Sequence, residues 1–477
     1  MRSAVITFSI LGLSLLAGCP DRSISKVDPQ QGRVEYKDIP VKINRKIDLL
    51  FVIDDSPSMA DKQTNLKANF MNFINVLNTI EGGLPDVHIG VVTSDLGTKG
   101  ADDAMPGPAI GSGPGACANL GKAGNLRTDP SVTGPYISDS LAADGVTRVT
   151  NYTGSLVTAF SALATAGANG CGFEQHIEAA KRALVSTNTA NAGFLRSDAY
   201  LAVIFIADED DCSMSHSSLL GADMNTLGPL QSFRCTRFGI TCATGGADSN
   251  AMNQVGPKGM CNSNESSAFL TKIGDYVTFF KTLKSDPKNV IVAAIAGTPT
   301  PFDVELRAPN GTGTPIPALA HSCSYQGANG PEVADPPVRI KQLLDSFPDR
   351  STYSSICQSD LSGGLTLIAQ LLKTVLGSPC IDGNLADVDP NTPGPQYDCS
   401  VSDITKFGKP DQVEKVLPQC NNLTTPASST NLPCWAIEMD AVKCTSASHL
   451  ILKVERGGTT PADDTHVVSY CVTTAGP

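Results

Sequence analysis

The sequence predicts an α/β protein: a doubly wound, mainly parallel, Rossmann-like sheet with long insertions, followed by a small disulfide-rich β domain at the C-terminus. Three observations predict it. From about residue 45 to residue 378, short apolar runs of strand length alternate with segments whose apolar residues recur at helical spacing. Two stretches, about 97–150 and 212–265, break that alternation. Beyond 378 the helical spacing stops, and residues 379–477 carry six of the 15 cysteines. Strands alternating with helices imply βαβ units and a parallel sheet covered on both faces.

The first strand is Ile47-Asp48-Leu49-Leu50-Phe51-Val52-Ile53, nearly continuous in apolar residues, as a strand buried on both faces requires. A helix over 59–80 follows from Leu66, Phe70, Phe73, Leu77 and Ile80, whose spacings of 4, 3, 4 and 3 mark one helix face. His88 to Thr93 is the next strand, and Ile177, Ala180 and Leu184 give a helix over 174–185. Tyr200 to Ala207 is the strongest buried-strand signal. Phe269, Ile273, Tyr276, Phe280 and Leu283 predict a helix over 267–284, before a strand at Val290 to Ala296. A short helix at 338–346, a strand at Thr352 to Ile356 and a helix at 361–376 close the series. Of the insertions, 97–150 is rich in Gly, Pro, Ala and Asp, whereas Cys212, Cys235, Cys242 and Cys261 favour a stapled structure in 212–265. In the tail, His449 to Val454 and Thr465 to Val472 alternate as strands.

Charge and the N-terminus narrow the classes. The net charge of −12, with no basic tract, excludes a nucleic-acid binder. Residues 1–18 have a basic start at Arg2 and an apolar stretch from Val5 to Leu16, the pattern of a secretory signal peptide. Leu16-Ala17-Gly18-Cys19 resembles the bacterial lipobox, which implies acylation of Cys19 and a lipid anchor, with 19–44 as a tether. Cys19 set aside, 14 cysteines remain in a chain bound for an oxidising compartment, which allows up to seven disulfides in a pairing that spacing does not reveal. No C-x-x-C pair argues for zinc.

In a sheet of this kind, ligands bind beyond the carboxyl ends of the strands. There, directly after the first strand, stands Asp54-Asp55-Ser56-Pro57-Ser58. This D-x-S-x-S resembles the metal-ion-dependent adhesion site of von Willebrand factor A domains, and the order of elements over roughly 45–377 is similar to that family. The resemblance implies one divalent cation, Mg²⁺ or Ca²⁺, held by Asp54, Ser56 and Ser58. It further implies Asp208, which follows the strand Tyr200 to Ala207, as a fourth ligand. Hard cations take oxygen donors, and the family completes the shell with a carboxylate from a protein partner. The family also supplies a Thr ahead of an intermediate helix. Here that stretch is Gly170-Cys171-Gly172-Phe173-Glu174-Gln175, with no Thr.

Alternatives accompany each reading. Asp54, Ser56 and Ser58 are also good helix caps. Asp208-Glu209-Asp210-Asp211 is either a solvated loop or the source, through Asp210 and Asp211, of a second calcium-type site. Glu174, His176 and Glu178 do not share a helix face and read as surface chemistry. H-E-x-x-H and G-x-S-x-G are absent, and Gly115 to Lys122 departs from the P-loop in spacing. The expectation is therefore a non-enzymatic, lipid-anchored protein of a Gram-negative outer membrane or cell surface that binds an acidic side chain of a protein partner. The rivals are an envelope scaffold with a degenerate metal site, favoured by the missing Thr, and an exported metal-dependent hydrolase. By analogy with the family, the 361–376 helix shifts with ligand occupancy.

Overall fold

A computed structural model describes residues 33–474, apart from 42–43, 81, 310–311, 382, 390, 392–394, 442–443, 445 and 463. The expected signal peptide and lipid-bearing Cys19 lie outside the described residues. Among those described, no helix is long and apolar enough to cross a membrane.

The described residues divide into two compact units, one within 39–378 and one of 33–38 with 379–474. In the larger unit the strands β1 (Lys46–Ile53), β2 (Asp86–Thr93), β3 (Ile137–Leu141), β4 (Arg148–Thr150), β5 (Tyr200–Ile206), β6 (Val290–Ala296) and β9 (Ser351–Ser355) form one sheet. Its order is β9-β6-β5-β1-β2-β3-β4. The β9-β6, β6-β5, β5-β1 and β1-β2 pairs are parallel, and the β2-β3 and β3-β4 pairs antiparallel. A separate hairpin, β7 (Cys323–Gly327) and β8 (Gly330–Ala334), stands between β6 and β9 in the chain. The fold is thus mixed α/β around a mostly parallel central sheet.

The near-continuous apolar run of β1 has its physical reason in the two layers. Leu49, Phe51 and Ile53 pack on α1 (Ala60–Leu77), α2 (Leu156–Ala164) and α6 (Ser362–Val375). Leu50 and Val52, pointing the other way, pack on α3 (His176–Leu184), α4 (Ile273–Thr282) and α5 (Val338–Asp345). All five are fully buried, each contributing about 1.5–3 kcal/mol of hydrophobic stabilisation. The helical spacing on α1 is explained by Phe70 and Phe73, which meet Phe51 edge-on, while Phe160 of α2 stacks on Phe70.

Several elements differ from the sequence expectation: the stretch 97–150, expected to interrupt the sheet, contributes β3 and β4 to it, and α2 follows unannounced. The helix expected over 267–284 starts only at Ile273. Before it, the Ser267 hydroxyl accepts from the backbone N–H groups of Phe269 and Leu270, which holds a turn in place of a helical start. Leu270 then packs into a separate cluster with Met214 and Leu219. The tether expected over 19–44 is ordered in part: Arg33–Pro40 is a strand, paired beside Thr465–Thr473. Its β-forming Val34 and Tyr36 give no local signal, because the strand they pair with lies at the far end of the chain.

The smaller unit is β-rich. One sheet has the order Arg33–Pro40, Thr465–Thr473, Cys399–Thr405, Val413–Leu417. Another has the order Cys380–Ile381, Leu450–Glu455, Cys434–Met439. Its six cysteines pair internally as 380–444, 399–471 and 420–434. In the larger unit the pairs are 117–171, 212–235, 242–261 and 323–357.

Candidate metal centre

The site is built where β1 and β5 end side by side. Ile53 is in register with Ile206, and the Asp54 N–H donates to the Ile206 carbonyl at 3.0 Å. That parallel register brings together residues 150 positions apart in sequence. The Ser58 hydroxyl donates to Asp208 Oδ1 at 3.2 Å and stands 3.0 Å from the Ser56 hydroxyl. The Asp54 carboxylate folds the turn: its Oδ1 accepts from the Ser56 N–H at 2.8 Å and from the Ser94 hydroxyl, just beyond β2, at 3.0 Å. Neither the short 3₁₀ turn Pro57–Met59 nor α1 has a side-chain cap. The capping alternative therefore finds no hydrogen bond to support it.

Asp54 Oδ2 is buried and receives no hydrogen bond. Its nearest cationic neighbour is His176 Nε2 at 3.7 Å, and neither ring nitrogen of His176 has a hydrogen-bond partner. The surface reading of Glu174, His176 and Glu178 is overturned: they are 2%, 0% and 4% exposed. The reason is that α3 begins only at His176, with its first turn pressed against the sheet's carboxyl edge. Burial pushes the Asp54 carboxyl up, but His176, Ser56 and Ser94 together hold it below the usual range.

The neighbouring acids are pushed the other way. Burial and the Asp54 charge raise Asp208 to about 6, against the pull of Lys62 and Ser58. Burial, then Asp54 and Asp95, raise Asp55 to about 7. Glu174 is raised well above the carboxylate range by burial and by Glu209, and Glu209 by burial and by Asp335, Asp208 and Asp54. Both line a cavity of about 250 Å³, shared with Asp335 and with His321, whose Nδ1 is 2.6 Å from Asp335 Oδ1. Excess buried negative charge with few cations is what a bound divalent ion would relieve.

The acid run itself splits. Asp210 accepts from the Arg339 and Ile340 N–H groups at the start of α5. Asp211 accepts from the Ile177 N–H at the start of α3 and pairs with Arg339 at 3.1 Å. These two serve helix ends, where a negative charge is favourable, so neither the solvated loop nor the second calcium-type site describes them.

In the stretch where the family has its Thr, Cys171 is bonded to Cys117. Gly170 lies so close that a Cβ there would be 2.4 Å from Asp55 Oδ1, so only glycine fits without movement. Among the described residues, no group of three or more His, Cys, Asp or Glu is arranged to hold a metal. A cation at this point would rest on hydroxyls as much as on carboxylates. The donor set of Asp54, Ser56, Ser58 and Asp208 fits a hard cation in chemistry, and Asp54 Oδ2 is a buried acceptor left without a hydrogen bond.

Lys62, four residues before Leu66 on the buried face of α1, joins the site although its residue type is one that solvates. Its ammonium, 1% exposed, lies 2.9 Å from Asp208 Oδ2, 2.7 Å from Glu332 Oε2 of β8 and 3.1 Å from the Ser58 carbonyl.

No family model and no curated protein matches the chain. Solved structures do align with it. A von Willebrand factor type A protein from Catenulispora acidiphila covers 94% of the chain at 9% identity and a TM-score of 0.28. The pilus adhesin RrgA from Streptococcus pneumoniae covers 93% at 12% identity and a TM-score of 0.25. The chain spans 66% and 58% of those two proteins, less than two thirds of either.

Proposed function

We propose that the chain is an exported, lipid-anchored protein of the von Willebrand factor A type that binds a protein partner through one divalent cation, Mg²⁺ or Ca²⁺. The carrying observation is the buried Asp54 Oδ2, which accepts no hydrogen bond, at the head of D-x-S-x-S, in a turn whose Ser56 and Ser58 hydroxyls are 3.0 Å apart and linked through Ser58 to Asp208. Asp54, Ser56, Ser58 and Asp208 would hold the ion. A bound ion supplies uncompensated positive charge to a carboxylate of the partner. Ser94 and the Ser56 N–H fix the Asp54 carboxylate so that Oδ1 is spent and Oδ2 is free. The role is recognition without catalysis. Anchoring through Cys19 and an outer-membrane or cell-surface location belong to the same reading, and the paired cysteines support an oxidising compartment.

A structural scaffold with a degenerate site is the second reading. It is favoured by Lys62, which already pairs with Asp208, and by the disulfide-bonded Cys171 in the Thr region. Calorimetric titration of the whole chain with Mg²⁺ and Ca²⁺, beside Asp54→Ala, separates the two. Saturable binding lost in the variant supports the metal-dependent reading. No heat of binding from either protein retires it in favour of the scaffold.

A further inference from the structure

Lys62 is in an unfavourable place for a lysine. It lies in the first turn of α1, the end of a helix that disfavours positive charge, and it is almost fully buried. A buried ammonium persists only where oxygens surround it. Those oxygens are Asp208 Oδ2, Glu332 Oε2 and the Ser58 carbonyl. Two of the three belong to residues that would hold the metal. The third belongs to the β7–β8 hairpin, which is fastened to the same corner of the molecule. Tyr325 Oη donates to Asp61 Oδ2 at 2.8 Å, and the Ala328 N–H donates to Asp61 Oδ1 at 3.2 Å. Just past β8, the Asp335 N–H donates to the Asp208 carbonyl at 2.8 Å. Cys323 of β7 is bonded to Cys357.

We infer that Lys62 is a built-in competitor for the divalent cation, and that its ion pair with Glu332 couples metal occupancy to the β7–β8 hairpin. Without metal, the ammonium neutralises Asp208 and holds Glu332 down on the start of α1. A divalent ion on Asp54, Ser56, Ser58 and Asp208 repels that ammonium and leaves it Glu332 as its one carboxylate. The hairpin contacts around Lys62 and Asp61 then rearrange. The hairpin is thus the part of the surface that would report to a partner whether the site is loaded. This inference rests on the metal-site reading above, and it assigns Lys62 the control of that site's affinity.

The test compares the whole chain with Lys62→Met and Glu332→Gln, by calorimetric titration with Mg²⁺ and Ca²⁺. Hydrogen exchange over residues 323–334 is followed with and without the ion. Lys62→Met is expected to bind at least tenfold more tightly than the natural chain. Glu332→Gln is expected to bind several-fold more weakly, because the displaced ammonium loses its second carboxylate. In the natural chain, exchange over 323–334 should change on metal addition. If the natural chain binds metal and Lys62→Met binds no more tightly, the competitor role is overturned while the metal site stands. If only Lys62→Met binds, the competitor role holds and the metal-dependent function of the natural chain falls. If neither binds, both fall. Should Lys62→Met fail to fold, the natural chain and Glu332→Gln still decide: metal binding that leaves exchange over 323–334 unchanged, with equal affinities, overturns the coupling.

Discussion

Strand β1 carries two fully buried aspartates, Asp48 near its start and Asp54 just past its end. They differ in how their oxygens are used. Asp48 Oδ2 accepts from the Arg196 N–H at 2.8 Å and lies 3.5 Å from Lys284 Nζ, while Oδ1 accepts from Arg196 Nε at 2.7 Å. Arg196 goes on to the carbonyls of Ile47 and Asp86, which ties β1 to β2. Every charge at that end of the strand has a partner. At the other end Asp54 Oδ2 accepts no hydrogen bond: His176 Nε2 stands off at 3.7 Å, and the other neighbours are mainly carboxyls. A buried acid is therefore not in itself a sign of function. An acceptor left unfilled is the sign, because folding alone would have filled it or removed it.

If that contrast is right, the two aspartates respond in opposite ways to loss of charge. The largest effect should come from Asp48→Ala, which leaves the buried Lys284 and the half-buried Arg196 without their carboxylate. Breaking a buried pair this way costs about 3–5 kcal/mol. Urea unfolding in chelator would read it, and metal affinity in the folded fraction should not change. A loss below about 1 kcal/mol would mean that the Asp48 end is no more structural than the Asp54 end.

Asp54→Asn comes second. The amide keeps the Oδ1 acceptor for Ser56 and Ser94, so stability in chelator should stay within about 1 kcal/mol of the natural chain. The variant should lose the stabilisation that metal confers, which is about 2.7 kcal/mol at a hundredfold excess over Kd. Thermal melts with and without Mg²⁺ or Ca²⁺ check both halves. A variant still stabilised by metal would place the cation elsewhere.

Much of the fold was legible because local pattern and tertiary role coincide. The apolar run of β1 is continuous because both faces are covered, and the 4-3-4-3 spacing of α1 is the face that Phe51 meets. Asp208 was joined to Asp54, Ser56 and Ser58 through the resemblance to a known family, and the structure supplies the physical reason for their proximity: neighbouring parallel strands deliver their ends to one edge. What escaped depends on contacts without a local signature. Lys62 stands four residues before Leu66, on the buried face of α1, but a lysine there reads as a solvated helix start; only its partners Asp208 and Glu332, 146 and 270 positions away, explain its burial. His176 was misread because the i, i+2 argument assumes that Glu174 is on the helix, which starts two residues later. Asp210 and Asp211 look identical to Asp208 in sequence, yet the helix ends that take them are α5 and α3, far apart in the chain.

The smallest effect sharpens the comparison from the Asp48 side through pH. His88 of β2 is part of that end: its Nδ1–H donates to the Phe194 carbonyl at 2.9 Å, and its ring centroid is 4.6 Å from that of Tyr136. Burial lowers its affinity for a proton, and Arg196 acts in the same direction, while Phe194 and Asp48 oppose them without prevailing. The folded chain therefore binds fewer protons at this ring than the unfolded chain does, between the lowered value and about 6.5. Stability must rise with pH across that window and be lost as pH falls below about 6.5. One proton limits the slope to about 1.4 kcal/mol per pH unit. Urea unfolding in chelator at pH 7.5, 6.5 and 5.5 should show the natural chain losing more stability than His88→Gln as pH falls. Acids common to both proteins cancel in the difference. Parallel losses would mean that the ring does not titrate differently on folding, and that the Asp48 end owes its order to Arg196 and Lys284 alone.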